Sequence, residues 1–242
     1  MELKVYGHRA SQPSRAIMIF CKANNIEFEE VTIDLSKGQH KSPEYKEINP
    51  MGQVPAIIHG ELQLFESHAI LTYLASAFPG VADHCSKQFP IHAKGIQLIL
   101  SREPRFILCW TGITQIYAVA QVLHTPYIFN ARLAPVFGLP LNPQAAAEAE
   151  KILISSLSTI ESFWLQDSGT FLLGGNQPSI ADLSLVCEIM QLELLDENER
   201  NRFLGPYKKV QQWIENTKNA INPQFDEMHG ALYQLSAKMG KQ

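Results

Sequence analysis

The chain has 242 residues, 45% of them apolar and 18% charged, with a formal net charge of −4. That is the composition of an ordinary globular protein, long enough for one large domain or two small ones, and not that of a disordered chain. Its Lys and Arg are scattered, which argues against a nucleic-acid surface, and its four cysteines, Cys21, Cys85, Cys109 and Cys187, form no CxxC pair, which argues against a zinc site, a dithiol motif or a disulfide framework.

A first strand is expected in MELKVY, where Leu3 and Val5 alternate with Lys4 and Tyr6. No charged-then-apolar leader stands there, so a cytoplasmic location is expected. Ser11 and Gln12 lead into a helix with Pro13 at its first residue, an apolar stripe of Ala16, Ile17, Phe20 and Ala23, and an end at Asn24-Asn25. Alternation resumes from Phe28 to Leu35. A polar loop from Ser36 to Ser42 follows, then a short helix opened by Pro43 and closed before Pro50. Val54 to Ile58 and Leu62 to Phe65 read as a hairpin turning at Gly60. Glu66-Ser67 opens a helix carrying Ile70, Leu71 and Leu74 to about Ala77. The order βαβ, helix, ββα predicts a small mixed sheet covered by helices.

A Pro/Gly-containing linker near Phe78 to Asp83 leads to a helical half. Phe106 to Leu123 is long and uncharged enough to span a bilayer, but Thr111, Thr114, Gln115 and Gln121 interrupt it, and no membrane span is expected. Asn142-Pro143 starts a long helix in which Leu153, Leu157, Ile160 and Trp164 recur at helical spacing. Ser179 and Asp182 have capping-box spacing. Pro206 opens a helix with Val210, Trp213 and Ile214 on one side, and Pro223 a last one. The expected division is residues 1–80, a linker over 81–93, and an all-helical domain over 94–242.

Four ordered strings, SQPSRA (11–16), KGQHKSPEY (37–45), NPMGQVPAI (49–57) and LFESHAILTYL (64–74), closely resemble theta-class glutathione transferases, the plant ones especially. GLPLNPQAAAEAE (138–150) and QPSIADLSL (177–185) extend the resemblance into the helical half. It covers residues 1–84 and 127–242 and implies a thioredoxin-like N-terminal domain followed by an all-α domain. It also implies glutathione as co-substrate, no metal, a homodimer, and detoxifying attack on hydrophobic electrophiles or, as a peroxidase, on organic hydroperoxides.

Taken alone, Ser11 reads as a helix cap. The resemblance gives it a second role, donating a hydrogen bond to the glutathione sulfur, with Gln12 on the same turn. Arg15 there reads as a source of positive potential or as a solvated side chain. Val54-Pro55 reads alone as a trans proline beginning an edge strand. The resemblance implies instead a cis turn whose Val54 backbone pairs with the tripeptide's cysteinyl backbone. It likewise gives Glu66 and Ser67 the γ-glutamyl ammonium and carboxylate, gives His40 and Lys41 the glycyl carboxylate, and adds Gln53 by position. Without it, Ser67 is a plain cap. No histidine pair has metal-site spacing, and no Gly-rich phosphate loop is present.

Residues 85–126 depart from the family. The family carries a basic helix with a Trp-His-His and Leu-Arg motif there; this chain has Pro104 and no formal charge between Arg105 and Arg132. Codons chosen for Cys109–Gln121 give LDWHHTNLRRGA in the neighbouring frame, the motif that is missing. Residues 95–121 therefore read as an out-of-frame translation, with 85–94 inserted and the frame restored before Tyr127. In the family this segment lines the electrophile cleft and much of the dimer interface. The rival reading is accordingly a glutathione-binding or interaction module impaired in turnover.

Overall fold

A computed structural model describes residues 2–78, 125–165, 170–172 and 176–239. The segment read as inserted or out of frame, residues 85–121, lies outside these described residues. The chain forms two compact units.

The first is built on a four-stranded sheet in the order β2-β1-β3-β4, from β1 (Leu3–Gly7), β2 (Glu29–Thr32), β3 (Ala56–His59) and β4 (Leu62–Phe65). β1 and β2 are parallel and joined by helix α1 (Gln12–Ala23); β1/β3 and β3/β4 are antiparallel. Helices α2 (Pro43–Ile48) and α3 (Ser67–Ala77) complete the expected order. The prediction gave α1 one apolar stripe, yet every residue from Ser14 to Cys21 is buried, so the helix is covered around its whole girth. It lies so close to β1 that a Cβ on Gly7 would stand 3.0 Å from Ser14 Oγ.

The second and third strands are shorter than expected. β2 stops at Thr32 rather than Leu35 because Asp34 turns the chain: Oδ1 accepts from Ser36 N (3.0 Å), Ser36 Oγ (2.6 Å) and Lys37 N (3.1 Å). β3 starts at Ala56, so Val54 and Pro55 precede the ladder. β2 is an outer strand whose carboxylates are both paired, Glu29 with Lys4 (2.7 Å) and Glu30 with Arg9 (2.6 Å).

The described part of the second unit is helical. α4 (Thr125–Ile128) runs on through wider and tighter turns to Phe137. It is followed by α5 (Pro143–Thr159), α6 (Ile180–Ile189), α7 (Glu197–Leu204), α8 (Lys208–Ile221) and α9 (Gln224–Met239). Asn142 Oδ1 caps α5 through Ala145 N (3.0 Å). The expected capping box is complete: Asp182 Oδ2 accepts from Ser179 N (2.8 Å), and Asp182 N donates to Ser179 Oγ (3.4 Å). The helix assigned to Pro206 begins at Lys208 instead, because the carboxylate of Glu161 receives Lys209 N (3.1 Å) and Val210 N (2.9 Å) and fixes its first turn there. Arg132 bridges Asp196 (2.7 Å) and Glu199 (2.6 Å).

Candidate functional site

The strand register gathers the candidate residues at one rim of the first unit. Gly7 of β1 pairs Thr32 of β2, Tyr6 pairs Ala56 at the start of β3, and Ala56 pairs Phe65 at the end of β4. From this one rim leave four segments: 8–11 with Ser11, 33–42 with His40 and Lys41, 49–55 with Gln53 and Val54, and Glu66-Ser67. Helices α1 and α3 both begin here, so the positive ends of two backbone dipoles face the same rim.

Ser11 occupies the N-cap position of α1 with extended backbone (φ −81°, ψ 125°), yet its hydroxyl makes no capping hydrogen bond. The residue is 8% exposed. Its hydroxyl is therefore spared for another partner, which separates Ser11 from the ordinary cap it resembles in sequence. Gln12, half-buried, is the first helical residue. Arg15 is not solvated. It is fully buried, and Nη1 donates to the carbonyls of Arg9 (2.9 Å) and Ala10 (3.1 Å), holding the loop that delivers Ser11. Sequence reasoning missed this because the acceptors are backbone atoms and leave no residue signature.

The Val54–Pro55 peptide is cis. Val54 lies outside β3, and its N–H and C=O make no hydrogen bond among the described residues. Gln53 is exposed, but its carbonyl accepts from Tyr45 Oη and Asn49 Nδ2, both at 2.7 Å. Lys41 Nζ donates to the carbonyl of Gly52 (2.9 Å) and keeps two further N–H donors. At Gly52, φ is +58° and a Cβ would stand 2.8 Å from the carbonyl oxygen of His40, so only glycine lets these two loops touch. His40 Nδ1 is buried without a hydrogen bond; burial, and then the charge of Lys41, hold the imidazole below its ordinary range.

Glu66, not Ser67, holds the N-cap position of α3, at φ 72° and ψ 108°, exposed and without a side-chain cap bond. A non-glycine residue in this region carries strain of about 1–3 kcal/mol, which is retained where the surroundings over-determine it. Ser67 is the first helical residue, so its backbone N–H is among those that a helix cannot satisfy internally. The rim thus combines one spared hydroxyl, an unspent backbone donor and acceptor, two helix N-termini and a local cation. Such a set suits a small polar guest with an anionic centre. An open depression of about 310 Å³, lined by Arg9, Lys22, Ile26, Glu27, Phe28 and Glu30, contains none of these candidates. No group of three or more metal-binding side chains occurs among the described residues.

Comparison with known proteins decides the family. The N-terminal domain model of the glutathione S-transferases matches residues 1–76, and the C-terminal domain model matches 143–216. Glutathione S-transferase T1 of Arabidopsis thaliana is 55% identical over 240 residues, covering 97% of this chain and 91% of that protein. Human glutathione S-transferase theta-1 is 35% identical, covering 78% and 73%. The chain belongs to the theta-class glutathione S-transferases. Not every theta-class relative has its length: the chain covers 39% of the Arabidopsis T2 protein, to which it is 54% identical. Its fold also matches the theta-class human enzyme solved with the glutathione conjugate of 1-menaphthyl sulfate, with a TM-score of 0.78 and 26% identity, over 100% of this chain and 91% of that one. The thioredoxin-like first unit and helical second unit are those of this enzyme family. No described helix is long and apolar enough to cross a membrane.

Proposed function

We propose that this chain binds glutathione at the rim, holds its sulfur as a thiolate with the Ser11 hydroxyl, and transfers it to small hydrophobic electrophiles. The observation that carries the reading is that Ser11 stands at a helix start without spending its hydroxyl on the helix. A free thiol ionises near ~8.5. A charge-assisted hydrogen bond of roughly 1.5–3 kcal/mol lowers that by about one to two pH units, and the N-terminal end of α1 acts in the same direction.

The remaining residues anchor the guest. The free N–H and C=O of Val54 pair with the cysteinyl backbone as an added strand would. Ser67 receives the γ-glutamyl carboxylate at the start of α3, Glu66 pairs its ammonium, and His40 and Lys41 take the glycyl carboxylate, with Gln12 and Gln53 completing the set. The thiolate then attacks the electrophilic carbon, forming the C–S bond as the leaving group departs with its electron pair. With an organic hydroperoxide it takes the terminal oxygen and releases the alcohol, and a second glutathione completes the disulfide and water. The aryl conjugate held by the human relative supports a hydrophobic electrophile. The same reading assigns glutathione binding to residues 1–80, a linker to 81–93 and the electrophile to 94–242, in a cytoplasmic homodimer acting in detoxification.

The test is an ultraviolet titration of the thiolate in the glutathione complex. Ionisation well below that of free glutathione is expected, returning toward the free value in Ser11→Ala. A bound sulfur that ionises no more readily than in buffer overturns the proposal.

A further inference from the structure

We propose that Tyr45 and Asn49 are positioning residues for glutathione, acting through the backbone of Gln53 to aim the N–H of Val54. The inference rests on the reading of the rim given above.

Both side chains are buried, Tyr45 at 3% and Asn49 at 2% exposure, beneath a loop whose residues Met51 and Gln53 are exposed. Tyr45 lies in α2, and Asn49 directly follows that helix. Both donate to one acceptor, the carbonyl oxygen of Gln53, at 2.7 Å. The orientation of the Asn49 amide is fixed, because Oδ1 accepts from Met51 N (3.0 Å); reversing it would set N–H against N–H. Gly52 N returns to the Asn49 carbonyl (2.9 Å), and the Gly52 carbonyl is held by Lys41.

The consequence follows from the rigidity of one peptide unit. The Gln53–Val54 bond is planar, with its C=O and N–H pointing in opposite directions. Two hydrogen bonds that fix the Gln53 oxygen from below therefore fix the Val54 N–H on the opposite side, where it makes no hydrogen bond among the described residues. Loop closure alone does not need two buried side chains on one carbonyl. Orientation of the next donor does, since losing either bond lets the plane rock. Burial pushes the Tyr45 phenol up to about 12, so it remains a donor over the working pH range.

The experiment compares Tyr45→Phe, Asn49→Ala and the double variant by calorimetric titration with glutathione and by steady-state kinetics with 1-chloro-2,4-dinitrobenzene. Each single variant is expected to weaken glutathione binding roughly fivefold to tenfold, and the double variant further. The KM for the electrophile and kcat at saturating glutathione should stay within about twofold. Tyr127→Phe, which removes a buried phenol of the second unit bonded to Glu199 of that same unit (2.9 Å), is the stability control and should leave glutathione affinity unchanged. Affinity within about twofold of the parent in both Tyr45→Phe and the double variant overturns the inference, as does an equal loss in Tyr127→Phe. Should Asn49→Ala fail to fold, Tyr45→Phe alone decides. A parent chain that binds no glutathione overturns the reading of the rim itself, a result distinct from unchanged variants.

Discussion

Trp213 Nε1 donates a 2.7 Å hydrogen bond to Oδ1 of Asp182, a carboxylate 31 residues away in sequence and fully buried. Leu172 N reaches the same oxygen (2.9 Å), while Ser179 N and Oγ occupy Oδ2 (2.8 and 2.6 Å). Four donors and no cation stabilise this anion among the described residues, so each donor matters. Trp213→Phe keeps the ring and removes one donor; it should lower unfolding free energy by about 1.5–3 kcal/mol in urea denaturation. Asp182→Ala, which orphans all four donors, should cost about 3–5 kcal/mol.

Ser11→Ala separates chemistry from stability. A working cap lost to alanine costs about 1 kcal/mol. Because this hydroxyl caps nothing, unfolding free energy should change by less than about 0.5 kcal/mol, while kcat/KM falls roughly tenfold to a hundredfold. Denaturation curves and kinetics on one preparation check both.

Glu66→Gly should move two measurements in opposite directions. Glycine adopts φ 72° without steric penalty, so thermal stability should rise by about 1 kcal/mol. The carboxylate proposed to hold the glutathione ammonium is lost, so glutathione affinity should fall roughly tenfold. Scanning calorimetry and titration provide the pair of readings.

Gly52→Ala should cost about 2 kcal/mol or more, since a Cβ there stands 2.8 Å from the His40 carbonyl oxygen at a φ that disfavours alanine. The His40–Lys41 loop must then move off residue 52. The KM for glutathione should rise with the loss of stability, measured by urea unfolding and kinetics.

His40 gives a pH dependence with a defined sign. Its folded-state pKa is depressed, so as the pH falls the unfolded chain takes up the proton first. The contribution is present above about 6.5 and is lost as the pH drops through the unfolded value toward the folded one. Unfolding free energy measured from pH 7 to about 5 should fall less steeply in His40→Gln than in the parent chain.

What could be read from sequence was local. The Asn142 cap and the Ser179–Asp182 box involve residues three apart, within reach of pattern rules, and both are present. The candidates gathered at the rim stand in short contiguous strings, which is why the sequence could nominate them. Glu161, which caps α8 from 48 residues away, has no signature, and its absence from the sequence reading put the start of α8 at Pro206 rather than Lys208. The choice between a solvated Arg15 and one that serves the site was illegible for a related reason: its partners are main-chain oxygens that any residue supplies. The positive φ of Glu66 was equally invisible, because helix-start rules place Ser67, the better capping residue, at the boundary.

The outer strand β2 is short, and its Glu29 and Glu30 are already matched by Lys4 and Arg9. A stray extended peptide approaching that border meets a brief ladder guarded by carboxylates whose counter-charges are engaged. Copies crowded together at high concentration should therefore find poor purchase for zipping border to border there, and fibril growth seeded at β2 is disfavoured.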